Sequence, residues 1–312
     1  MKLVTYRSKK VSEARIGVIS NGQIIDIFQL GLEIGFDFPI SMLEFIDQGP
    51  DSLVALSEAM AEIGNKRPPG LAIPSENGFL LAPIPVPRKN IFGIGLNYVE
   101  HVAESARSLD TSKELPTKPV VFSKPPTAVI GPGDGIQHNS KMTQQLDWEV
   151  ELAVIIGKKA TRIDKENAMS HVFGYSIMND VSARDNRRAG QWIFSKGQDT
   201  FAPFGPCIVT ADEIIDPHNL NLWLKKNNIE KQNSNTKHLL FDIPTLISDL
   251  SSGMSLEPGD IIATGTPSGV GAGRDPQEWM WPGDIIECGI DGIGVLKNPV
   301  VNIYLNSLNV FC

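Results

Sequence analysis

The segment Gln145-Leu-Asp-Trp-Glu149-Val-Glu151-Leu-Ala-Val-Ile-Ile-Gly157 decides how this chain is read. In an extended strand, successive side chains alternate between faces. Glu149 and Glu151 then point one way with Asp147 beside them, while Val150, Leu152 and Val154 point the other way, into a core. Beyond the acids the run is almost wholly apolar, which marks an interior strand rather than a wet edge. Two carboxylates crowded on one buried face repel and desolvate each other. They require a positive partner, and a divalent cation is the simplest candidate. The alternative is a solvated strand face paired to Lys or Arg.

A third carboxylate stands at the end of Val172-Phe-Gly-Tyr-Ser-Ile-Met-Asn-Asp180, where a β-like run gives way to polar residues. Asp180 at that strand end would join Glu149 and Glu151 in a three-carboxylate site. All-oxygen ligation favours Mg²⁺ or Mn²⁺, with Ca²⁺ also fitting, over zinc. No histidine pair in the sequence has zinc spacing.

Three further segments carry chemistry. His101 and Glu104 in Asn97-Tyr-Val-Glu-His101-Val-Ala-Glu104 share a face if the segment is helical. A carboxylate beside an imidazole fixes its tautomer and makes it a better general base; an exposed helix with an incidental histidine is the alternative. Lys196, in Phe194-Ser-Lys196-Gly-Gln-Asp199-Thr-Phe, lies between aromatic residues and is placed to meet developing negative charge, unless it is a surface lysine with a buried stem. Thr264-Gly-Thr-Pro-Ser-Gly-Val-Gly271 is rich in glycine and hydroxyls, so its amides can approach a bound anion. It lacks the Gly-Lys-Ser/Thr of a nucleotide-binding loop, and Gly93-Ile-Gly95 lacks the third glycine of a dinucleotide fingerprint.

The bulk numbers narrow the class. A chain of 312 residues with 41% hydrophobic residues suits one large domain, or a catalytic domain with a small partner. The 28 basic and 36 acidic residues give a net charge of −8, which argues against a nucleic-acid or anionic-membrane surface. The three cysteines, Cys207, Cys288 and Cys312, form no C-x-x-C pair, as expected in a reducing compartment. With no apolar signal core at the start and no membrane-length apolar run, the expected location is cytoplasmic.

The first 85 residues read as a small N-terminal α/β domain. Short strands are expected at 3–6, 15–19 and 23–27, and helices at 41–46 and 52–63, the second capped by Asp51 and stopped by Gly64. Residues 65–90 hold Pro68, Pro69, Pro74, Pro83, Pro85 and Pro87 and read as an irregular linker. Residues 86–312 form the second domain. Strands are expected at 91–96, 119–122, 148–156, 172–178, 207–210, 220–224, 260–263, 284–288 and 294–296, with helices near 98–106, 164–170 and 243–252. Short strands without regular βαβ spacing indicate an α+β fold, mixed or antiparallel, with peripheral helices. The polar stretch 108–118 is a candidate mobile loop.

Taken in order, these motifs resemble the fumarylacetoacetate hydrolase family. The match runs through Gly93-Ile-Gly-Leu-Asn-Tyr98 with His101 and Glu104, Pro119-Val-Val-Phe-Ser-Lys124, Asp147-Trp-Glu-Val-Glu151, Gly174-Tyr-Ser-Ile-Met-Asn-Asp180-Val-Ser-Ala-Arg-Asp185, Gln191-Trp-Ile-Phe-Ser-Lys196 and Gly259 to Gly271. The resemblance implies a mixed β-sandwich roll that assembles as a homodimer. It implies Glu149, Glu151 and Asp180 as Mg²⁺ or Mn²⁺ ligands, and His101, Glu104 and Lys196 as catalytic residues. Lys124, Arg184, Gln191 and Thr266 fall at substrate-binding positions. The implied reaction is hydrolysis of a C–C bond in an acylpyruvate-like diketo acid. Keto–enol isomerisation, as of 2-hydroxyhepta-2,4-diene-1,7-dioate, and oxaloacetate decarboxylation are the alternatives on the same site, and a non-catalytic ligand-binding protein is the alternative of another class. The chain departs from many relatives in carrying Asn186-Arg187 where they place a glutamine, which adds a cation near the expected pocket.

Overall fold

The structure, a computed structural model, describes residues 1–9, 12–64, 71–75, 78–108 and 114–303. Cys312 and residues 109–113 of the polar 108–118 stretch lie outside the described residues. The fold is a mixed α+β arrangement built on a large sheet and a smaller one.

The large sheet is organised around Val150–Ile156. This strand pairs antiparallel with Val172–Asn179 on one side and with Ile261–Ala263 on the other. Ile91–Gly95 continues parallel to Ile261–Ala263, and Val120–Lys124 closes that edge. In the other direction Val172–Asn179 pairs with Ala202–Thr210. The second, five-stranded sheet runs Ile229–Asn235, Asn221–Lys226, Ile285–Ile290, Gly294–Asn302, Ile136–His138.

Every residue of Val150–Ile156 is buried because both faces of the sheet are covered. Leu152 and Val154 pack towards the five-stranded sheet, in a cluster with Leu222, Leu224, Ile286 and Leu296. Ala153 and Ile155 pack the opposite way, in a cluster with Met42, Phe45 and Leu56 from the N-terminal helices and Phe38 from the connection before them. The apolar run that follows the acids therefore reflects two cores, one on each face.

The sheet continues across the expected boundary at residue 85. Lys2–Ser8 pairs antiparallel with Ala202–Thr210, and Arg15–Ser20, Gln23–Asp26 and Ala72–Pro74 extend the same sheet. The 65–90 stretch is not wholly irregular: Ala72–Pro74 and Gly78–Leu80 are short strands, while residues 65–70, 76 and 77 lie outside the described residues. Pro74 is tolerated because it ends an edge strand, where a missing N–H costs little.

Local details differ from the sequence expectations for identifiable reasons. The third N-terminal strand ends at Asp26, whose side chain accepts from the Gln29 amide and starts the unexpected helix Ile27–Ile34. Met42–Asp47 is capped by Ser41. Helix Pro50–Ile63 has Gly49 rather than Asp51 at its N-cap, so Asp51 sits in the first turn, where it complements the helix dipole. Strand Ile229–Asn235 was not expected. It forms a hairpin with Asn221–Lys226 through Asn227-Asn228, both at positive φ (52° and 64°), a conformation asparagine tolerates.

Candidate active site

The acidic site forms where the central strand breaks. The ladder stops at Val150, because the Glu149 amide donates instead to Asn179 Oδ1 (3.0 Å) and the Glu149 carbonyl accepts from Asp180 N (2.8 Å). This crossover pins the two acid-bearing segments together. Glu149, Glu151 and Asp180, all buried, present carboxylate oxygens within 4.8 Å of one another. Asp147 does not join them. It turns away and accepts from the Trp148, Gly271 and Ala272 amides and from Arg184 Nε.

Three buried cations surround the cluster. Lys196 Nζ bonds Glu149 (2.8 Å), Asp180 (2.5 Å) and Ser182 Oγ (2.9 Å). Arg184 reaches Glu149 (2.5 Å) and Asp147 (2.8 Å). Lys124, fully buried, bonds Asp180 (2.5 Å), the Val181 carbonyl (3.2 Å) and the Lys196 carbonyl. Burial works against the Lys196 ammonium, yet the Asp180 and Glu149 charges overcome it and raise its pKa. For Lys124 burial wins and the pKa is lowered. Glu149 feels the same desolvation, but Lys196 and Arg184 hold it below the usual carboxylate range.

Glu151 is the exception. It accepts from the Gly265 amide (2.9 Å), and among the described residues no Lys or Arg pairs with it. Burial, then the neighbouring charges of Asp180 and Glu149, push its pKa well above the ordinary value. Three positive side chains thus face the four carboxyl groups of Asp147, Glu149, Glu151 and Asp180, and Glu151, the one without a cation among the described residues, lies inside the three-carboxyl cluster. An all-oxygen donor set with one carboxyl lacking a cation fits a hard divalent cation.

His101 and Glu104 lie on helix Val99–Ser108. His101 Nδ1 is 3.1 Å from Glu104 Oε2, and Ser105 Oγ is 3.3 Å from Nε2. The same cleft is lined by His101, Glu149, Glu151, Arg184, Lys196 and Thr266, and also by Arg187 and Trp192. Trp192 lies over Gly95, where a Cβ would overlap its indole, and Arg187 stacks on the Trp192 ring at 5.3 Å.

The expected site residues fall in different places. Lys196 is in the cleft, but its three N–H groups are all taken by Glu149, Asp180 and Ser182, leaving none in this arrangement for a substrate oxyanion. Lys124 lies behind the acids instead of on the cleft wall. Gln191 is exposed and lines a separate groove with Val121 and Phe122. Thr266 reaches the cleft, while its hydroxyl donates to the Val150 carbonyl (2.9 Å) and accepts from Gln232 (2.8 Å). Three amides of the 264–271 loop are taken by the protein's own carboxylates: Gly265, Gly269 and Gly271 donate to Glu151, Glu104 and Asp147. Ser105, Ser182 and Trp192 were missed. The i, i+4 spacing of His101 and Ser105 was the one signal available for the first.

Two packed sheets thus bring a buried three-carboxylate cluster and a histidine–glutamate pair together. The sequence profile of the fumarylacetoacetate (FAA) hydrolase C-terminal domain matches residues 90–301, and the chain belongs to that family. It is 39% identical over 306 residues to the mitochondrial oxaloacetate tautomerase fahd2 of Xenopus laevis, covering 96% of this chain and 90% of that protein. It is 44% identical over 266 residues to the oxaloacetate tautomerase YisK of Bacillus subtilis, covering 84% and 87%. Among solved structures, maleylpyruvate hydrolase from a Sphingobium species, in complex with manganese(II) and pyruvate, superposes with a TM-score of 0.75 at 32% identity, covering 97% of this chain and 99% of that one. No helix among the described residues is long and apolar enough to cross a membrane.

Proposed function

We propose that this protein interconverts the keto and enol forms of a small 2-oxo dicarboxylic acid of the oxaloacetate type, with Mg²⁺ or Mn²⁺ bound by Glu149, Glu151 and Asp180. The observation that carries this reading is the three-carboxyl cluster, one member of it without a cation, in the same cleft as His101 of the His101–Glu104 pair. The similarity to two oxaloacetate tautomerases favours this chemistry over the C–C hydrolysis expected from the motifs. Arg187, which lines the same cleft, adds a positive side chain to the wall that would meet a dicarboxylic ligand.

A bound divalent cation would supply Lewis-acid stabilisation of negative charge on the ligand's oxygens. Glu104 holds His101 Nδ1, so Nε2 is the nitrogen that takes the proton from the carbon between the carbonyl and the far carboxylate. The electron pair left behind forms the C=C bond, the carbonyl oxygen becomes the enol oxygen, and a proton returns there. Lys196 and Arg184 offset the carboxylate charge, and Trp192 walls the cleft.

A second reading, hydrolysis of an acylpyruvate-like diketo acid with His101 activating water, is supported by the maleylpyruvate hydrolase neighbour. Homodimer assembly belongs to either reading. It is supported by the apolar groove at the Val120–Lys124 edge strand, where Val121, Ile193 and Met254 are exposed, and sedimentation at the single-chain mass would exclude it. The buried free thiols of Cys207 and Cys288 support a reducing cytoplasmic location, a point that fractionation of the native cells checks.

The deciding experiment follows oxaloacetate enol–keto exchange and pyruvate release from acylpyruvates in parallel, with Mn²⁺ and with chelator. Faster exchange with metal, absent from Glu151→Gln, is expected, as is at least a tenfold loss of Mn²⁺ affinity in that variant. Pyruvate release without accelerated exchange would transfer the assignment to the hydrolase reading.

A further inference from the structure

Asp147 sits at the junction of the two halves of the site, and both its oxygens act only as acceptors. Oδ1 receives the Trp148 amide (2.8 Å) and the Gly271 amide (2.6 Å). Oδ2 receives the Ala272 amide (3.0 Å) and Arg184 Nε (2.8 Å). Arg184 continues to Glu149 in the acid cluster. The loop held by Asp147 continues to the histidine–glutamate pair: the Gly269 amide donates to Glu104 Oε1 (2.9 Å), and Glu104 Oε2 holds His101. Trp148, fully buried, adds a second tie by donating from its indole to the Gly269 carbonyl (3.1 Å). On the far side Gly273 lies against Glu104, with no room for a Cβ.

We propose that Asp147 is a positioning residue: it clamps the 269–273 loop to the acid cluster and thereby sets Glu104, and through it His101, at a fixed distance from the bound acid. This inference deepens the function proposed above and rests on its assignment of His101 as the base. An aspartate is required because all four partners are donors. An asparagine would turn one oxygen into a donor facing either two amides or an amide and a guanidinium, so that one pair loses its acceptor.

The test is Asp147→Asn in the full chain, read by amide hydrogen exchange, Mn²⁺ titration and turnover. Exchange in 101–105 and 269–272 is expected to quicken by about 10-fold or more, the scale of a lost hydrogen bond to a charged group. With oxaloacetate, kcat is expected to fall by about 30-fold while KM and Mn²⁺ affinity change by less than about threefold. Gly273→Ala reaches the same contact from the other side, leaves the Asp147–Arg184–Glu149 bonds in place, and should reproduce the exchange and kcat changes; it carries the test if the first variant does not fold. Unchanged exchange in 101–105 in the folded variants, or a loss confined to Mn²⁺ affinity, overturns the proposal. The exchange measurement needs no substrate, so the clamp is judged even if the tautomerase reading fails.

Discussion

At the scale of single residues, the site is a charge-balancing problem solved with buried lysines and an arginine. Lys124 is the clearest case, since it is fully enclosed and its ammonium spans Asp180 and two backbone carbonyls. Truncating it to an apolar side chain leaves Asp180 short of one cation and two carbonyls short of a donor. Lys124→Met is therefore expected to lower unfolding stability by about 3–5 kcal/mol in urea titration without chelator-sensitive turnover recovering. A cost below about 1 kcal/mol would mean that the ammonium is not holding Asp180. The motif containing Lys124 was legible in the sequence. Its role was not, because whether a lysine faces the ligand or props the residues that do depends on which strands surround it.

At the scale of elements, helix ends show how local chemistry meets packing. Helix Ile243–Gly253 buries Ile243, Leu246, Ile247 and Leu250 and starts at Asp242, whose side chain accepts from the Thr245 amide (2.9 Å) and hydroxyl. Burial alone would raise the Asp242 pKa, but those bonds and Lys165 lower it below the usual carboxylate range. Because the folded pKa lies below the unfolded value of about 3.9, the contribution is present above that pH and is lost as pH falls through the folded pKa. Asp242→Ala should cost about 1 kcal/mol at neutral pH and a diminishing amount as pH falls below about 4, measured by thermal melts across pH. An equal cost at every pH would deny the carboxylate its role.

Element boundaries were readable where side chains cap or turn the backbone locally, as at Gly64 and the 243–253 helix. They were missed where the signal was weak or was overridden. Asn227-Asn228 makes a hairpin from a stretch with too few apolar residues to announce a strand, and Asp26, which accepts from Tyr6, Arg15 and Gln29, and Asn179 act through side chains that sequence periodicity does not register.

At the scale of the whole molecule, the N-terminal segment supplies strands to the large sheet and helices to its outer face. Leu3 is fully buried in the cluster that also contains Ile155, Phe204 and Ile208. Leu3→Ala is expected to cost about 2–5 kcal/mol and to shift a single calorimetric transition as a unit. Two separated transitions, with only the first moved, would show that the segment folds independently of the sheet it joins.

What the sequence determined by itself was the inventory of the site: alternation placed two acids on one side of an interior strand, spacing put His101 beside Glu104, and the order of motifs identified the family. These are local patterns, set by residue periods of two and about 3.6. Only the tertiary structure decided which charges meet. The break at Glu149, the three cations around the acids, the Gly265 amide that meets Glu151 and the turning of Asp147 towards the 269–273 loop all come from segments far apart in the chain. Burial makes those pairings obligatory, since a carboxylate removed from water needs a donor or a cation, and the sequence does not say which distant one will arrive.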